Sequence, residues 1–189
     1  MKKVIFSLLI VAAATSISCS SSQKATSTPV PGGMVEDVVP LSGPQYRADA
    51  ENYRAVQNGV SKERSMAQKI AMQNCRQELA SFIQADVQLV IESYAKNQDT
   101  GMSSEHKSQY QELAYAVINQ RLSNVHVVDE KIYREASGEY RYYVCLQIAK
   151  ESIAKAVEET IANDAKLNLE FDREQFKKIF QEHMAAFSR

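Results

Sequence analysis

The sequence predicts an α+β fold, in which a small sheet of about three strands packs against one long helix and further helices. Across residues 61–94, apolar or small residues recur every three or four positions, which is the spacing of one helix face. Two segments rich in alternating apolar residues flank Ala136-Ser137-Gly138 and indicate an antiparallel hairpin. The long helix needs a sheet or a second helix to cover its apolar stripe, and the later segments provide both.

The first strand is predicted over residues 53–60, where Asn58-Gly59 favours a turn or bulge near the end. Ser61 suits the N-cap of the following helix, because its hydroxyl can accept a hydrogen bond from a free N–H of the first turn. That helix, residues 62–95, would be about 50 Å long, so it must either bend or project from the domain. A second helix over residues 105–122 folds back on it as a helical hairpin.

The clearest hairpin joins residues 124–134 to residues 139–149, and a third helix follows at residues 151–163. The register that we predict places Tyr133 opposite Tyr140. A slip of one residue would scatter the apolar set between the two faces of the sheet. In the predicted register, the face that packs against the first two helices carries Val125, Val127, Val144, Leu146 and Ile148.

The chain ends in an amphipathic helix predicted over residues 172–187. Asp172 and Gln175 have the spacing of a capping box, and Phe171 is placed to contact Phe176 across the first turn. Burying each large apolar side chain contributes about 1.5–3 kcal/mol, so the stripe of this helix should be covered. Either the far face of the sheet or a partner subunit could cover it, and we favour the far face because the connection is short. The stripe consists of Phe176, Ile179, Phe180, Met184 and Phe187.

Residues 1–18 have the pattern of a secretory signal. Lys2 and Lys3 precede an apolar run over residues 4–14, which is shorter than the about 20 residues needed to span a bilayer. An ordinary cleaved signal would explain this pattern, but Ser16-Ile17-Ser18-Cys19 resembles the lipobox of bacterial lipoproteins. The resemblance implies that Cys19 receives a diacylglycerol and becomes the new N-terminus. The lipobox prefers leucine at the position of Ser16.

A disordered tether is predicted over residues 19–33, because this stretch has almost nothing to bury. One domain of about 155 residues, 34–189, follows and is long enough to form a core. Without the two signal lysines, 20 of the 22 basic residues remain against 23 acidic ones, which gives a net charge of about −3 and no basic footprint for nucleic acid. No acidic run follows Cys19, and we interpret this as favouring the periplasmic side of the outer membrane.

No catalytic, metal-binding or cofactor-binding pattern stands out in the sequence. The three histidines, His106, His126 and His183, lack zinc-ligand spacing, and we interpret them as surface or structural residues. The chain contains no Gly-x-Ser-x-Gly nucleophile motif and no glycine-rich phosphate loop. We therefore predict no catalytic residue, no metal and no cofactor.

Two cysteines remain after Cys19, and the oxidising periplasm makes a disulfide between them a real alternative. Cys75 lies on the inward stripe of the long helix. Cys145 has the parity opposite to Val144 and Leu146, which places it on the far face of the sheet. Because a disulfide requires Cβ atoms about 3.5–4.5 Å apart, we expect two buried free thiols.

Exposed aromatic residues are the best candidates for a ligand or partner surface. The hairpin carries a cluster of tyrosines that could stack on sugars or peptides, although cross-strand tyrosines more often stabilise the hairpin itself. The last helix adds phenylalanines that would contact a partner if its stripe were not covered within the chain. The candidate surface consists of Tyr133, Tyr140, Tyr143, Phe176 and Phe180.

Four segments within residues 53–149 carry a resemblance to a known family: Tyr53-Arg54-Ala55-Val56-Gln57-Asn58-Gly59-Val60-Ser61, Ala67-Gln68-Lys69-Ile70-Ala71, Cys75-Arg76-Gln77-Glu78-Leu79-Ala80 and Tyr142-Tyr143-Val144-Cys145-Leu146. Behind a lipobox, and in the order strand, long helix, helix, hairpin and helix, they resemble the lipoprotein-20 family of bacterial outer-membrane lipoproteins. The resemblance implies a small non-catalytic α/β module at the outer membrane. Some relatives look like accessory parts of envelope or flagellar assemblies, and the family supplies no catalytic residues.

Three functional hypotheses follow from these patterns. The first is a lipid-anchored, non-catalytic envelope module, held in the membrane through Cys19, that binds an envelope protein or cell-wall partner or associates with itself. The second is an envelope hydrolase with an unrecognised site, and the third is a periplasmic module that binds a sugar or peptide. An apolar cleft with converging polar side chains would favour the second and third hypotheses. An exposed apolar patch would favour the first.

Overall fold

A computed structural model describes residues 29–30, 34–35, 38–97, 102–169 and 171–186. The predicted signal of residues 1–18 and the predicted lipidation site Cys19 lie outside the described residues. The chain divides into two compact units, Met1–Val38 and Val39–Arg189. In the first unit, β1 (Pro29–Val30) pairs antiparallel with β2 (Met34–Val35), at the junction between the predicted tether and the predicted domain.

The second unit has the predicted α+β fold, and its described residues form one open antiparallel sheet packed against a long helix and three further helices. The strands are β3 (Asn52–Ser61), β4 (His126–Arg134) and β5 (Tyr140–Ala149). The helices are α1 (Arg64–Lys96), α2 (Ser104–Arg121), α3 (Lys150–Asn163) and α4 (Arg173–Ala186). Strand β5 lies at the centre of the sheet, between β3 and β4.

Helix α1 packs along the sheet in its first half and against other helices in its second half. In the first half, the Cys75 Sγ lies 3.1 Å from the carbonyl oxygen of Ala55 in β3. At the far end, the Tyr94 ring centroid lies 6.1 Å from that of Tyr110 in α2 and 5.5 Å from that of Phe176 in α4. A single helix therefore supplies the core of both the sheet layer and the helical layer.

The predicted N-cap of α1 is wrong. The helix begins at Arg64, its N-cap is Glu63, and the Glu63 side chain makes no capping hydrogen bond. Ser61 instead ends β3 and pairs with Tyr140 of β5, and its hydroxyl accepts a hydrogen bond from the Glu63 N–H at 3.2 Å. Strand pairing holds Ser61 in extended backbone, so the helix starts later than the residue preference suggests.

The predicted turn or bulge at Asn58-Gly59 is also wrong, because both residues pair in regular register with β5. Gly59 marks the point where α1 crosses β3. A Cβ atom at this position would lie 2.5 Å from the Ala67 carbonyl oxygen and 2.5 Å from the Ala71 nitrogen. Glycine is needed here because only a residue without a side chain lets the two backbones approach so closely.

The hairpin register is as predicted at its open end and wrong at its tip. The predicted offset holds at Val127, but Tyr133 pairs with Arg141 rather than with Tyr140. A bulge at Val128 accounts for the difference, since it adds one residue to β4 that β5 does not match. Alternation of apolar residues could not reveal this shift, because the extra residue, Val128, is itself an apolar residue next to Val127.

The predicted inner face of the sheet is correct for β5 and partly wrong for β4. Val144, Leu146 and Ile148 are buried, and Val125 packs half-buried against the core. Val127 is 38% exposed, so its predicted burial is wrong. Helix α1 packs on β3 and β5, and β4 extends the sheet beyond the width that the helix covers.

Helix α4 begins as predicted. The Asp172 Oδ1 accepts a hydrogen bond from the Gln175 N–H at 2.9 Å, and the ring centroids of Phe171 and Phe176 are 5.3 Å apart. Phe176, Ile179 and Phe180 are buried, whereas the side chains of Met184 and Phe187 lie outside the described residues.

The predicted destination of α4 is wrong, because the helix packs on α1 and α3 and not on the far face of the sheet. Two features explain its position. The rings of Tyr94 and Tyr110 provide an aromatic surface for Phe176 to cover. The far face already contacts the 3₁₀ turn Pro44–Tyr46, whose Tyr46 carbonyl oxygen lies 3.9 Å from the Cys145 Sγ.

We predict that Gly59→Ala lowers the free energy of unfolding by about 1–3 kcal/mol, because the added methyl group meets backbone atoms of α1 that cannot move independently. Gly43→Ala is the matched control, since its methyl group would meet only the flexible side chain of Gln45. Urea unfolding followed by circular dichroism measures both variants. If Gly59→Ala unfolded at the same urea concentration as the unchanged chain, the close crossing of α1 over β3 would be contradicted.

Candidate interaction surface

The structure separates the five predicted surface residues into three places. Tyr133 and Tyr143 share the far face, the sheet face turned away from α1, and their ring centroids are 5.9 Å apart in an edge-to-face arrangement. Tyr140 lies on the opposite face, under the guanidinium of Arg134. Phe176 and Phe180 lie in the helical layer, where their side chains are 1% and 2% exposed, so they are core residues.

Strand β4 is the most exposed strand of the sheet, and every one of its residues except the half-buried Asp129 is exposed. It pairs with β5 on one side, and within the part of the chain that the structure describes no other strand pairs with its outer edge. Its exposed apolar side chains are Val127, Val128, Ile132 and Tyr133, with exposures between 36% and 47%. Val127 and Ile132 lie on the helix side of the sheet, opposite Leu146 and Tyr142, whereas Tyr133 lies on the far face. Exposed apolar side chains on both faces of a strand could contact a partner that binds this part of the sheet.

At the opposite edge of the sheet, the Arg54 side chain of β3 binds the segment that precedes this strand. Arg54 of β3 donates from Nη1 to the Arg47 carbonyl oxygen at 2.8 Å and to the Asp49 Oδ2 at 2.6 Å. Its Nε donates to the Gln147 Oε1 at 2.6 Å, across the far face. These bonds hold the segment before β3 against the far face of that strand. Within the described residues, β3 and β4 are the two edge strands of the sheet.

Polar side chains of β4 are held in place by neighbours on both faces of the sheet. On the far face, the Tyr46 hydroxyl donates to the Asp129 Oδ2 at 2.5 Å, and this bond is the main reason that the pKa of the carboxyl is held below its usual range. On the helix side, the Tyr142 hydroxyl donates to Glu130. Burial and this hydrogen bond raise the pKa of Tyr142 to about 12, so the phenol remains a donor at neutral pH.

The two thiols lie on opposite faces of the sheet and are free, as predicted. Cys75 contacts carbonyl oxygens on the helix side, with its Sγ 3.1 Å from Ala55 and 3.8 Å from Val144. Cys145 is beneath Tyr46 on the far face. Burial raises the pKa of the Cys75 thiol to about 12 and that of the Cys145 thiol to about 11. Both groups therefore act as small apolar residues, not as nucleophiles.

A groove of ≈ 600 Å³ lies between α3 and α4. Ala154, Phe176 and Phe180 line it with apolar surface. Its lining has as many carboxylates as cations, so it favours neither an anionic nor a cationic ligand. The charged lining residues are Glu51, Glu151, Glu158 and Glu159 with Lys150, Lys155, Arg173 and Lys177. Lys150 is almost fully buried in the wall, and its Nζ lies 5.3 Å from the centroid of the Tyr53 ring, a cation–π contact.

The three histidines are separated along the fold. The His183 Nε2 lies 2.9 Å from the Ser93 Oγ, His106 lies in the first turn of α2, and His126 begins β4. Within the described residues, no three histidine, cysteine or carboxylate side chains are grouped so that they could hold a metal ion. Nor does any helix of the described residues have the length and hydropathy needed to cross a bilayer.

Comparison with known protein families and curated proteins found no match. No protein-family model matches the chain, and no curated protein matches it. The likeness to the lipoprotein-20 family therefore stays a prediction that rests on the segments quoted above.

Two features of the structure were not predicted from the sequence: the exposure of β4 and the groove between α3 and α4. The exposure of β4 left a signal in the sequence. The run Asp129-Glu130-Lys131 interrupts the apolar alternation of β4, and charged residues in the middle of a strand are typical of a sheet edge. The groove between α3 and α4 left no comparable signal. It depends on the way two separately predicted helices lie against each other, which their amphipathic patterns do not specify.

We predict that both thiols of the folded chain react with iodoacetamide much more slowly at pH 8.5 than they do in urea, because burial keeps them protonated. Each thiol has a higher pKa in the folded chain than the value of about 8.5 in the unfolded chain. The stability that this difference gives the folded state is fully present below that pH, and it is lost as the pH rises towards about 11 for Cys145 and about 12 for Cys75. Residue-resolved mass spectrometry measures the labelling. Labelling at the unfolded rate, or a peptide that links Cys75 to Cys145, would contradict the burial described here.

Proposed function

We propose that this chain is a lipid-anchored, non-catalytic lipoprotein of the bacterial outer membrane that faces the periplasm and serves as a structural or protein-interaction module. The observation that carries the proposal is the signal pattern of residues 1–18 followed by Ser16-Ile17-Ser18-Cys19. Acyl chains on Cys19 would anchor the chain durably, because each buried methylene contributes about 0.8 kcal/mol.

The exposed strand β4 supports the interaction part of the proposal. Four exposed apolar side chains lie on β4, with whose outer edge no described strand pairs, and charged side chains stand between them. Exposed apolar side chains with charges between them suit a partner that is recognised by both shape and charge. The resemblance to the lipoprotein-20 family points to the same class of protein.

A second candidate function is favoured by the groove between α3 and α4. Its apolar lining and polar rim have the character of a small ligand site, so a periplasmic module that binds a sugar or peptide is the alternative. A small molecule released when the purified chain is denatured, and identified by mass spectrometry, would favour this alternative.

We predict that Cys19→Ser yields a chain that carries no acyl label and is released from the membrane pellet on fractionation, because the variant lacks the thiol that receives the lipid. Ser16→Leu is the matched control, since it introduces the leucine that the lipobox prefers, and it should remain membrane-bound and labelled. Fractionation with a radioactive fatty acid measures both properties. If Cys19→Ser stayed in the pellet with its label, the proposed anchor would be wrong.

A further inference from the structure

Arg76 of α1 differs from the other half-buried arginines of the described residues. The Arg54 Nη1 donates to the Asp49 Oδ2 at 2.6 Å, and the Arg141 Nε donates to the Glu135 Oε1 at 2.6 Å. Arg76, by contrast, has no hydrogen-bond or ion-pair partner among the residues that the structure describes, and its Nε is buried. A buried donor without an acceptor costs free energy, so the position of this side chain requires an explanation.

The Arg76 side chain lines a pocket of ≈ 470 Å³ between α1 and the end of α2. Its Nε is the one atom of the guanidinium that is buried without a partner among the described residues, so the two Nη groups remain accessible. The neighbours that enclose the Nε hold the guanidinium in place. They leave the Nη groups as the donors that a ligand in the pocket can reach.

The C-terminal end of α2 is not the partner of this arginine. The Gln120 carbonyl oxygen accepts the Ser123 hydroxyl at 2.7 Å, and the Leu122 N–H donates to the carbonyl oxygens of Ile118 and Gln120. The last turn of α2 thus provides its own donors, and Arg76 donates to no carbonyl oxygen of the described residues. The explanation for its position therefore lies outside the capping of this helix.

The charge of the pocket favours an anionic ligand. Among the described residues that line it, Arg76 is the one charged side chain, and three others are carboxamides, those of Gln73, Gln77 and Asn119. A guanidinium with accessible Nη groups binds a carboxylate through two parallel hydrogen bonds. The carboxylate that the lining does not provide is therefore expected from a ligand.

The remaining lining residues favour a peptide among carboxylate ligands. Each carboxamide offers a donor and an acceptor, which matches the N–H and C=O of the peptide group next to a C-terminal carboxylate. Ala80 and Leu122 add a small apolar surface for a small side chain on the last residue. No aromatic ring is among the described lining residues, so a sugar ring has no surface on which to stack.

We propose that this pocket binds the free C-terminal carboxylate of a peptide, and that Arg76 recognises the carboxylate. The inference goes beyond the proposed function, because it assigns a ligand to residues that neither the lipid anchor nor β4 involves. An interaction module with such a site would hold a partner by the end of its chain.

Two peptides of the same sequence test the proposal on the unchanged chain. Acetylated trialanine with a free carboxylate should bind, and the same peptide with a C-terminal amide should bind about tenfold more weakly or less, because it has no charge for Arg76. The chain is net negative, so it does not attract the carboxylate non-specifically. An NMR titration of the isotope-labelled full chain measures both affinities, and the signals of Arg76 and Asn119 should shift.

Equal affinity for the two peptides, no binding of either, or shifts only at residues away from the pocket would overturn the proposal. These results do not depend on lipidation. Release of Cys19→Ser from membranes bears on the anchor alone, so the two proposals can fail separately.

A variant of Arg76 tests the assigned residue. Arg76→Gln should weaken binding of the carboxylate peptide about tenfold and leave the weak binding of the amide peptide unchanged. Arg121→Gln is the matched control, because it removes the same charge from an exposed residue of α2 that does not line the pocket. It should bind both peptides as the unchanged chain does. Thermal unfolding confirms that both variants are folded, and an equal loss of affinity in the two would contradict recognition by Arg76.

Discussion

The burial of one side of α1 is the constraint on which the rest of the second unit depends. This helix is about 50 Å long, and its buried stripe runs from Ala67 to Tyr94. The stripe begins with small residues, which let the helix lie close to β3 at Gly59. It ends with a large aromatic residue, Tyr94, which needs the rings of α2 and α4 around it. The size of the buried side chains along α1 thus determines that the sheet packs on its first half and the other helices on its second half.

The width of this helix also limits the width of the sheet that it can cover. Strands β3 and β5 lie under α1, whereas β4 lies beyond it and keeps its side chains in water. The segment before β3 is held to that strand by the Arg54 side chain on the far face. The exposed strand is therefore a consequence of packing, and its charges and its bulge at Val128 are those of a strand adapted to that position. An interaction module would place its partner surface where the core leaves a strand uncovered.

The fold class and most elements could be predicted because they follow from local periodicity. The long helix, the hairpin and the Asp172 cap of α4 each depend on neighbours within one or two turns of chain. The errors arise where two distant segments meet. Strand pairing with Tyr140 moved the helix start past Ser61, and aromatic packing on Tyr94 drew α4 away from the far face. Local pattern carries no information about such contacts.

The candidate surface was predictable only in part for the same reason. The predicted register placed Tyr133 beside Tyr140 and on the face opposite to Tyr143, whereas the bulge at Val128 brings Tyr133 and Tyr143 together on the far face. Alternation could not show either that Phe176 and Phe180 would become core residues. Burial of an amphipathic helix depends on which other faces remain uncovered, and that is a property of the whole fold.

Native-state hydrogen exchange tests the central claim, that α1 joins the sheet and the helical layer into one cooperative unit. Amides from Ala71 to Leu79 lie in the part of α1 that packs on the sheet, and those from Val87 to Tyr94 lie in the part that packs on helices. We predict that both groups of amides exchange through the same global opening, with the same free energy and the same dependence on denaturant. If the second group exchanged through a separate opening of lower free energy while the first stayed protected, the two layers would be independent and the account would be contradicted.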